Sequence, residues 1–144
     1  MNKSVFAITA GALVLSLIGL VYFVALAPKC GGSDHCIKVT VSTIGGPLKI
    51  AVNSPELHVH GQDQVIFWDL ENSTGQSYKF PDNGIAFNAG DGGTAQFTCE
   101  RQSKAKFKCK DSGTVGHYKY TVTLDVGGVG DPPVSPLDPW IYNE

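Results

Sequence analysis

The chain of 144 residues and 15.3 kDa carries a formal net charge of −2 and is 42% hydrophobic, which leaves room for one domain of ordinary size and excludes two full ones. Beyond residue 27 there are 10 basic and 13 acidic residues, so the composition offers no basic surplus for nucleic acid.

Residues 5–27 run for 23 positions without a charge, and 19 of them are hydrophobic. At about 1.5 Å per helical residue the stretch reaches about 34 Å, against a hydrocarbon core of about 30 Å. Residues 1–27 are therefore expected to be a signal-anchor with one transmembrane helix, since the apolar region of a removable signal is shorter, about 7–15 residues. A secreted form cleaved near Ala27 is the alternative, because Ala25-Leu26-Ala27 has the small-x-small pattern that signal peptidase accepts. Pro28 opposes it by putting a rigid ring without an N–H in the scissile bond. Lys3 holds the short end in the cytoplasm, so both readings place residues 28–144 in the periplasm or extracellular space.

A stalk is expected over 28–36. All four cysteines, Cys30, Cys36, Cys99 and Cys109, lie in the exported part, and an even number in an oxidising compartment reads as two disulfides. Three connectivities are open. The local pairing, Cys30–Cys36 with Cys99–Cys109, closes the shortest loops and is the expected one. The spacings do not supply the close cysteine pairs of a zinc site.

From Ile37 onward the apolar pattern has period two. Ile37, Val39 and Val41 alternate with Lys38, Thr40 and Ser42, and Gly45-Gly46-Pro47 breaks the chain before Leu48, Ile50 and Val52. Asn53-Ser54-Pro55 leads into Leu57-x-Val59, and Gly61-Gln62-Asp63 into Val65-Ile66-Phe67-Trp68. Further strands are predicted at 77–80, 85–87, 95–99, 104–109 and 117–126. No stretch after residue 28 keeps a helical apolar period, so 37–126 reads as an all-β domain, a Greek-key β-sandwich with a core drawn from two inner faces. Residues 127–144 read as a Pro-rich tail, with Pro132, Pro133, Pro136 and Pro139 before Trp140-Ile141-Tyr142. The aromatic end is expected to pin the tail to the domain or to add an edge strand, the alternative being a free recognition tail.

Across 59–80 the order is strand, glycine turn, apolar strand ending in Trp68, polar loop, then Gly75-Gln76-Ser77-Tyr78-Lys79-Phe80. With Gly113, Gly116 and the run Tyr118-x-Tyr120-Thr121-Val122-Thr123-Leu124, this resembles the cupredoxin-like superfamily over 37–126. Asp111-Ser112-Gly113 ahead of Tyr118 and Tyr120 is also similar to the penultimate strand of immunoglobulin domains, the alternative sandwich. The cupredoxin resemblance implies two imidazoles and a thiolate around copper. Here Gln76 stands at the position of the first imidazole and Val122 at that of the thiolate, no His-x-x-x-x-Met loop follows, and the only methionine is Met1. The resemblance thus implies the fold without its redox site and without a cofactor.

Two clusters carry chemistry. Lys104, Lys106, Lys108 and Lys110 alternate with Ala105, Phe107 and Cys109, as in a strand with one basic and one buried face. Such a face suits an anionic polysaccharide, a lipid headgroup or an acidic protein, and it is equally the guard of an exposed sheet edge. No aromatic residue interleaves on the lysine side, which disfavours nucleic acid. His58 and His60, two apart in a strand, share a face and offer two imidazoles to copper or zinc, with His117 as a third; a plain solvent-facing pair is the other reading. The glycine clusters lack the sequence context of a phosphate loop, and no hydrolase motif occurs, so a non-enzymatic role is expected. Asn72-Ser73-Thr74 matches a glycosylation acceptor.

Overall fold

A computed structural model describes residues 35–43, 46–72 and 77–144. The expected anchor, Cys30 and most of the expected stalk lie outside these residues. The elements in chain order are β1 (His35–Ser42), β2 (Lys49–Val52), β3 (Glu56–Val59), β4 (Val65–Glu71), β5 (Tyr78–Lys79), β6 (Ile85–Phe87), one helical turn α1 (Gly93–Gln96), β7 (Phe97–Ser103), β8 (Lys106–Asp111), β9 (Gly116–Val122), β10 (Asp125–Val126) and β11 (Trp140–Asn143). The period-two segments of the sequence become strands because alternation lets one row of side chains enter a core while the other stays wet. Several boundaries differ from expectation: the strand expected at 104–109 is β8 from Lys106 to Asp111, and the one expected at 117–126 divides into β9 and β10. His35 and Cys36 belong to β1 rather than to the stalk, and the strand expected from residue 95 begins at Phe97, after α1.

The fold is all-β. A five-stranded sheet in the order β2-β1-β4-β8-β7 faces a four-stranded sheet in the order β3-β11-β9-β6, and β5 with β10 forms a small two-stranded sheet. Each large sheet holds one parallel pair, β1 with β4 and β3 with β11, among antiparallel ones. In the five-stranded sheet Ile37, Trp68 and Phe107 lie in register and point inward, each at most 1% exposed. From the opposite sheet Val59, Ile141, Tyr120 and Val122 close on them, equally buried. Aromatic edges lock the two layers. Trp68 meets Tyr120 edge-on with ring centroids 5.4 Å apart, and Phe97 meets Tyr118 in the same manner at 5.3 Å. Where β6 and β7 come together, Phe87 stacks on Phe97 at 3.8 Å.

Residues 127–144 are not an appended tail. Gly127 donates to the Ser77 carbonyl at 2.6 Å, the Tyr78 hydroxyl donates to the Pro132 carbonyl at 3.1 Å, and Val134 is buried. The segment then bridges Ser135 to Lys49 and Leu137 to Val122 before it enters β11, which lies between β3 and β9. The prolines occupy the crossover, where no ladder N–H is needed, and the expected edge strand is an interior one.

Burial at the centre has a measurable consequence. The Tyr120 hydroxyl is pushed up to about 12 by burial; the nearby Trp68 indole offsets this only in part, and neither polar atom completes a hydrogen bond. The unfolded chain loses this proton near pH 10, so the stability from keeping Tyr120 neutral is full below that value and falls as pH rises towards about 12. Tyr120→Phe is expected to flatten this alkaline decline. At neutral pH it should be neutral or stabilising by about 1 kcal/mol, because it deletes a buried unpaired hydroxyl. Urea denaturation near neutral pH and at about pH 11 measures both effects.

Candidate functional site

On β8 the outward residues are Lys106, Lys108 and Lys110, while Phe107, Cys109 and Asp111 are buried. Lys104 sits on the turn between β7 and β8. The reading of these lysines as the guard of a sheet edge does not hold, since β8 is flanked by β4 and β7 and the edge strand is β7. Register places Lys108 between Phe67 and Glu100, and Lys106 opposite Asp69. Lys108 Nζ lies 3.3 Å from Glu100, Lys110 Nζ 2.8 Å from Asp63 and Lys38 Nζ 3.1 Å from Glu71. The face is therefore a lattice of both signs. Of the four lysines, Lys104 and Lys106 make no ion pair among the described residues, so they remain the cations that an anionic partner would meet first.

Of the two expected local disulfides, Cys99–Cys109 is present. Cys99 and Cys109 are register partners on β7 and β8 and form a disulfide. Cys36 is also disulfide-bonded, and its expected partner, Cys30, lies outside the described residues.

Three of the four histidines, His58, His60 and His117, lie on the exposed side of the other sheet, while His35 begins β1. His58 on β3, Tyr142 on β11 and His117 on β9 stand in one register row. The His58 and Tyr142 rings stack 5.0 Å apart and 12° from parallel, and His117 meets the other side of Tyr142 at 4.7 Å. His117 is thus separated from His58 by a tyrosine ring, and the three-histidine set is not brought together. A carboxylate takes its place. Glu144 Oε1 lies 2.8 Å from His58 Nδ1 and Oε2 lies 3.7 Å from His60 Nε2, in a cluster that is at least half exposed. Among the described residues no group of three or more His, Cys, Asp or Glu is placed so that it could hold a metal ion. One row further along, Thr121 donates to Asp138 at 2.8 Å and Lys119 Nζ approaches it at 3.2 Å, which together hold the Asp138 carboxyl below its ordinary value.

Beneath one end of the sandwich lies a polar knot that the sequence did not announce. Asp111 is fully buried, and its Oδ1 accepts hydrogen bonds from Gln96 Nε2, from Asn143 Nδ2 at 3.0 Å and from the Gly113 N–H at 2.9 Å. Asn143 also donates to the Thr114 carbonyl at 3.1 Å, and Ser112 Oγ donates to Gln96 Oε1 at 2.8 Å. Gly113 closes this turn with φ of 83°, where a Cβ would lie 2.6 Å from Gln62 Cα, so the position accepts glycine alone. Beside the knot, Asp63, Ala95, Gln96, Thr98, Lys110 and Ser112 line a cleft of about 190 Å³. The signal for the knot was present in the alternation. Extending Phe107 and Cys109 by one step places Asp111 inside, and extending Ile141 places Asn143 inside.

Of the positions that the resemblance assigns to copper, Gln76 lies outside the described residues and Val122 is fully buried on β9 against Ile85. Asn72, the acceptor of the glycosylation sequon, uses its side chain otherwise, taking the Tyr78 N–H at 3.1 Å and donating to the Tyr78 carbonyl at 3.4 Å. No protein-family model matches the chain, and a search of curated proteins gives no match.

Proposed function

We propose that this chain is a membrane-anchored, exported and non-enzymatic binding or structural module of the cell envelope, built on a cupredoxin-like Greek-key sandwich. Oxidised cysteine carries the reading. The Cys99–Cys109 bond and the disulfide-bonded Cys36 belong to an oxidising compartment, and the uncharged run over 5–27 is the means of reaching it and staying at the membrane. One parallel strand pair in each sheet supports the cupredoxin-like form over the immunoglobulin alternative, whose sheets are antiparallel.

The partner surface in this reading is the lysine face, and the partner is anionic: an envelope polysaccharide, a lipid headgroup or an acidic protein. The test is co-sedimentation of the full chain with vesicles of anionic lipid and, separately, with an anionic polysaccharide. The Lys104→Glu/Lys106→Glu variant is expected to lose the binding and keep its melting temperature, because both side chains are outside the core. Equal binding by the variant and the natural sequence would defeat the lysine-face reading.

A second reading, a copper- or zinc-binding domain using His58 and His60, is favoured by one observation. A carboxylate from the neighbouring strand reaches both rings. That arrangement does not need the copper positions of the resemblance.

A further inference from the structure

The geometry points to the cleft beside the polar knot as a saccharide site, one that seats a hexuronic acid unit of an acidic polysaccharide. The inference rests on the anionic-partner reading above and chooses among the partners named there.

The cleft is shaped before any ligand arrives. Its innermost residue is Gln96, 5% exposed, whose amide is fixed at both ends by donating to Asp111 and accepting from Ser112 Oγ at 2.8 Å. The turn between β3 and β4 forms one wall. It is held by the Asp111 N–H, which donates to the Gln64 carbonyl at 2.9 Å, and by the close approach of Gly113 to Gln62. Asp63 stands on that turn with φ of 58°, and Lys110 Nζ meets its Oδ1 at 2.8 Å, both side chains being more than half exposed. An exposed pair of this kind is weak, so a ligand can enter between its members and use the second carboxylate oxygen and the remaining ammonium protons. Thr98 adds an exposed hydroxyl from β7, and Ser112, having donated its proton to Gln96, keeps its lone pairs as acceptors.

This lining specifies the ligand. At about 30 Å³ per water the cleft of about 190 Å³ holds about six waters, and it falls short of the roughly 300 Å³ at which sites for drug-sized ligands begin. It therefore takes a single sugar ring. That ring must bring an anion to Lys110 and hydroxyl donors to Asp63 and Ser112. A lipid phosphate brings the first and sets its charge against Asp63, while a neutral sugar brings only the second. A hexuronic acid carries both, a carboxylate and ring hydroxyls, and the Ala95 methyl gives its C–H face an apolar contact. Lys108 and Lys106 follow Lys110 along β8 at intervals of about 6.8 Å, so the flanking units of the polysaccharide run over the outer face towards Lys104. Because Glu100 offsets Lys108 there, the row attracts polyanions in general and the cleft selects among them.

Calorimetric titration of the full chain in detergent with an oligogalacturonate, and in parallel with polyglutamate as an anion without ring hydroxyls, tests the inference. Lys110→Gln should weaken oligogalacturonate binding by about tenfold or more. Asp63→Asn is the deciding variant, since asparagine accepts the same positive φ and leaves the fold intact. Loss of a negative charge should leave polyglutamate binding unchanged or tighter, yet oligogalacturonate should bind about tenfold more weakly, because hydroxyl donors lose a charged acceptor. Thr98→Val should weaken the oligogalacturonate by about threefold. If Asp63→Asn binds oligogalacturonate as tightly as the natural sequence or more tightly, the cleft is overturned and the lysine face stands on charge alone. If the natural sequence binds polyglutamate or sediments with phosphatidylserine vesicles but does not bind oligogalacturonate, the saccharide is overturned and the anionic-partner reading survives. Binding to none of these probes overturns both.

Discussion

Deleting residues 140–144 is expected to abolish cooperative folding. These residues include β11, which pairs with β3 on one side and β9 on the other, and Ile141 within it is fully buried between Leu57 and Tyr118. Losing a buried isoleucine alone costs about 2–5 kcal/mol. The deletion also exposes two unpaired strand edges and takes Asn143 from the polar knot, so the total reaches the whole stability of an ordinary domain, about 5–15 kcal/mol. Far-UV circular dichroism on heating should show no sigmoidal transition. A truncated protein that melted within a few degrees of the full chain would mean that the segment is an appendage. Ile141→Ala is the graded version, and a loss of about 2–5 kcal/mol with the cooperative transition retained is expected for it.

Replacing Asp111 by alanine should lower stability by about 3–5 kcal/mol, more than any substitution on the lysine face. Its Oδ1 gathers Gln96, Asn143 and the Gly113 N–H, and once the carboxyl is removed Gln96 Nε2 and the Gly113 N–H lose this acceptor while Asn143 keeps only the Thr114 carbonyl. Asp111→Asn separates this from a simple charge effect. Asparagine keeps one acceptor oxygen for the same donors and puts an amide group where Asp111 Oδ2 lacks a partner. The asparagine variant should therefore exceed the alanine variant by at least about 2 kcal/mol in urea denaturation. Equal loss in both would show that the knot depends on the negative charge rather than on its hydrogen bonds.

The strands were legible in the sequence wherever one face is apolar and the other polar, as at Ile37, Val39 and Val41 or at Phe107 and Cys109. Which strands lie side by side was not. Period two states that a residue points inward, but it carries nothing about the neighbour, so the lysines of β8 looked as much like an edge as like the interior strand that they occupy. β11 was obscured for another reason: four prolines precede Trp140, and proline argues against a central strand although here it lies only in the approach. His58 and His60 were found as a pair from spacing alone. Their carboxylate partner was not, because Glu144 reaches them through a parallel register that joins segments far apart in the chain.

The place of β11 also fixes a time order. The four-stranded sheet cannot close until this strand, made long after β3, has left the ribosome, and the pairing that joins them is among the most distant in the chain. Folds that depend on such non-local pairs search slowly, in milliseconds to seconds. Until then β3 and β9 present bare hydrogen-bonding edges beside apolar side chains, a state prone to pairing with other chains. For this architecture the late strand is both the hazard of biogenesis and the step that commits the chain to its native form.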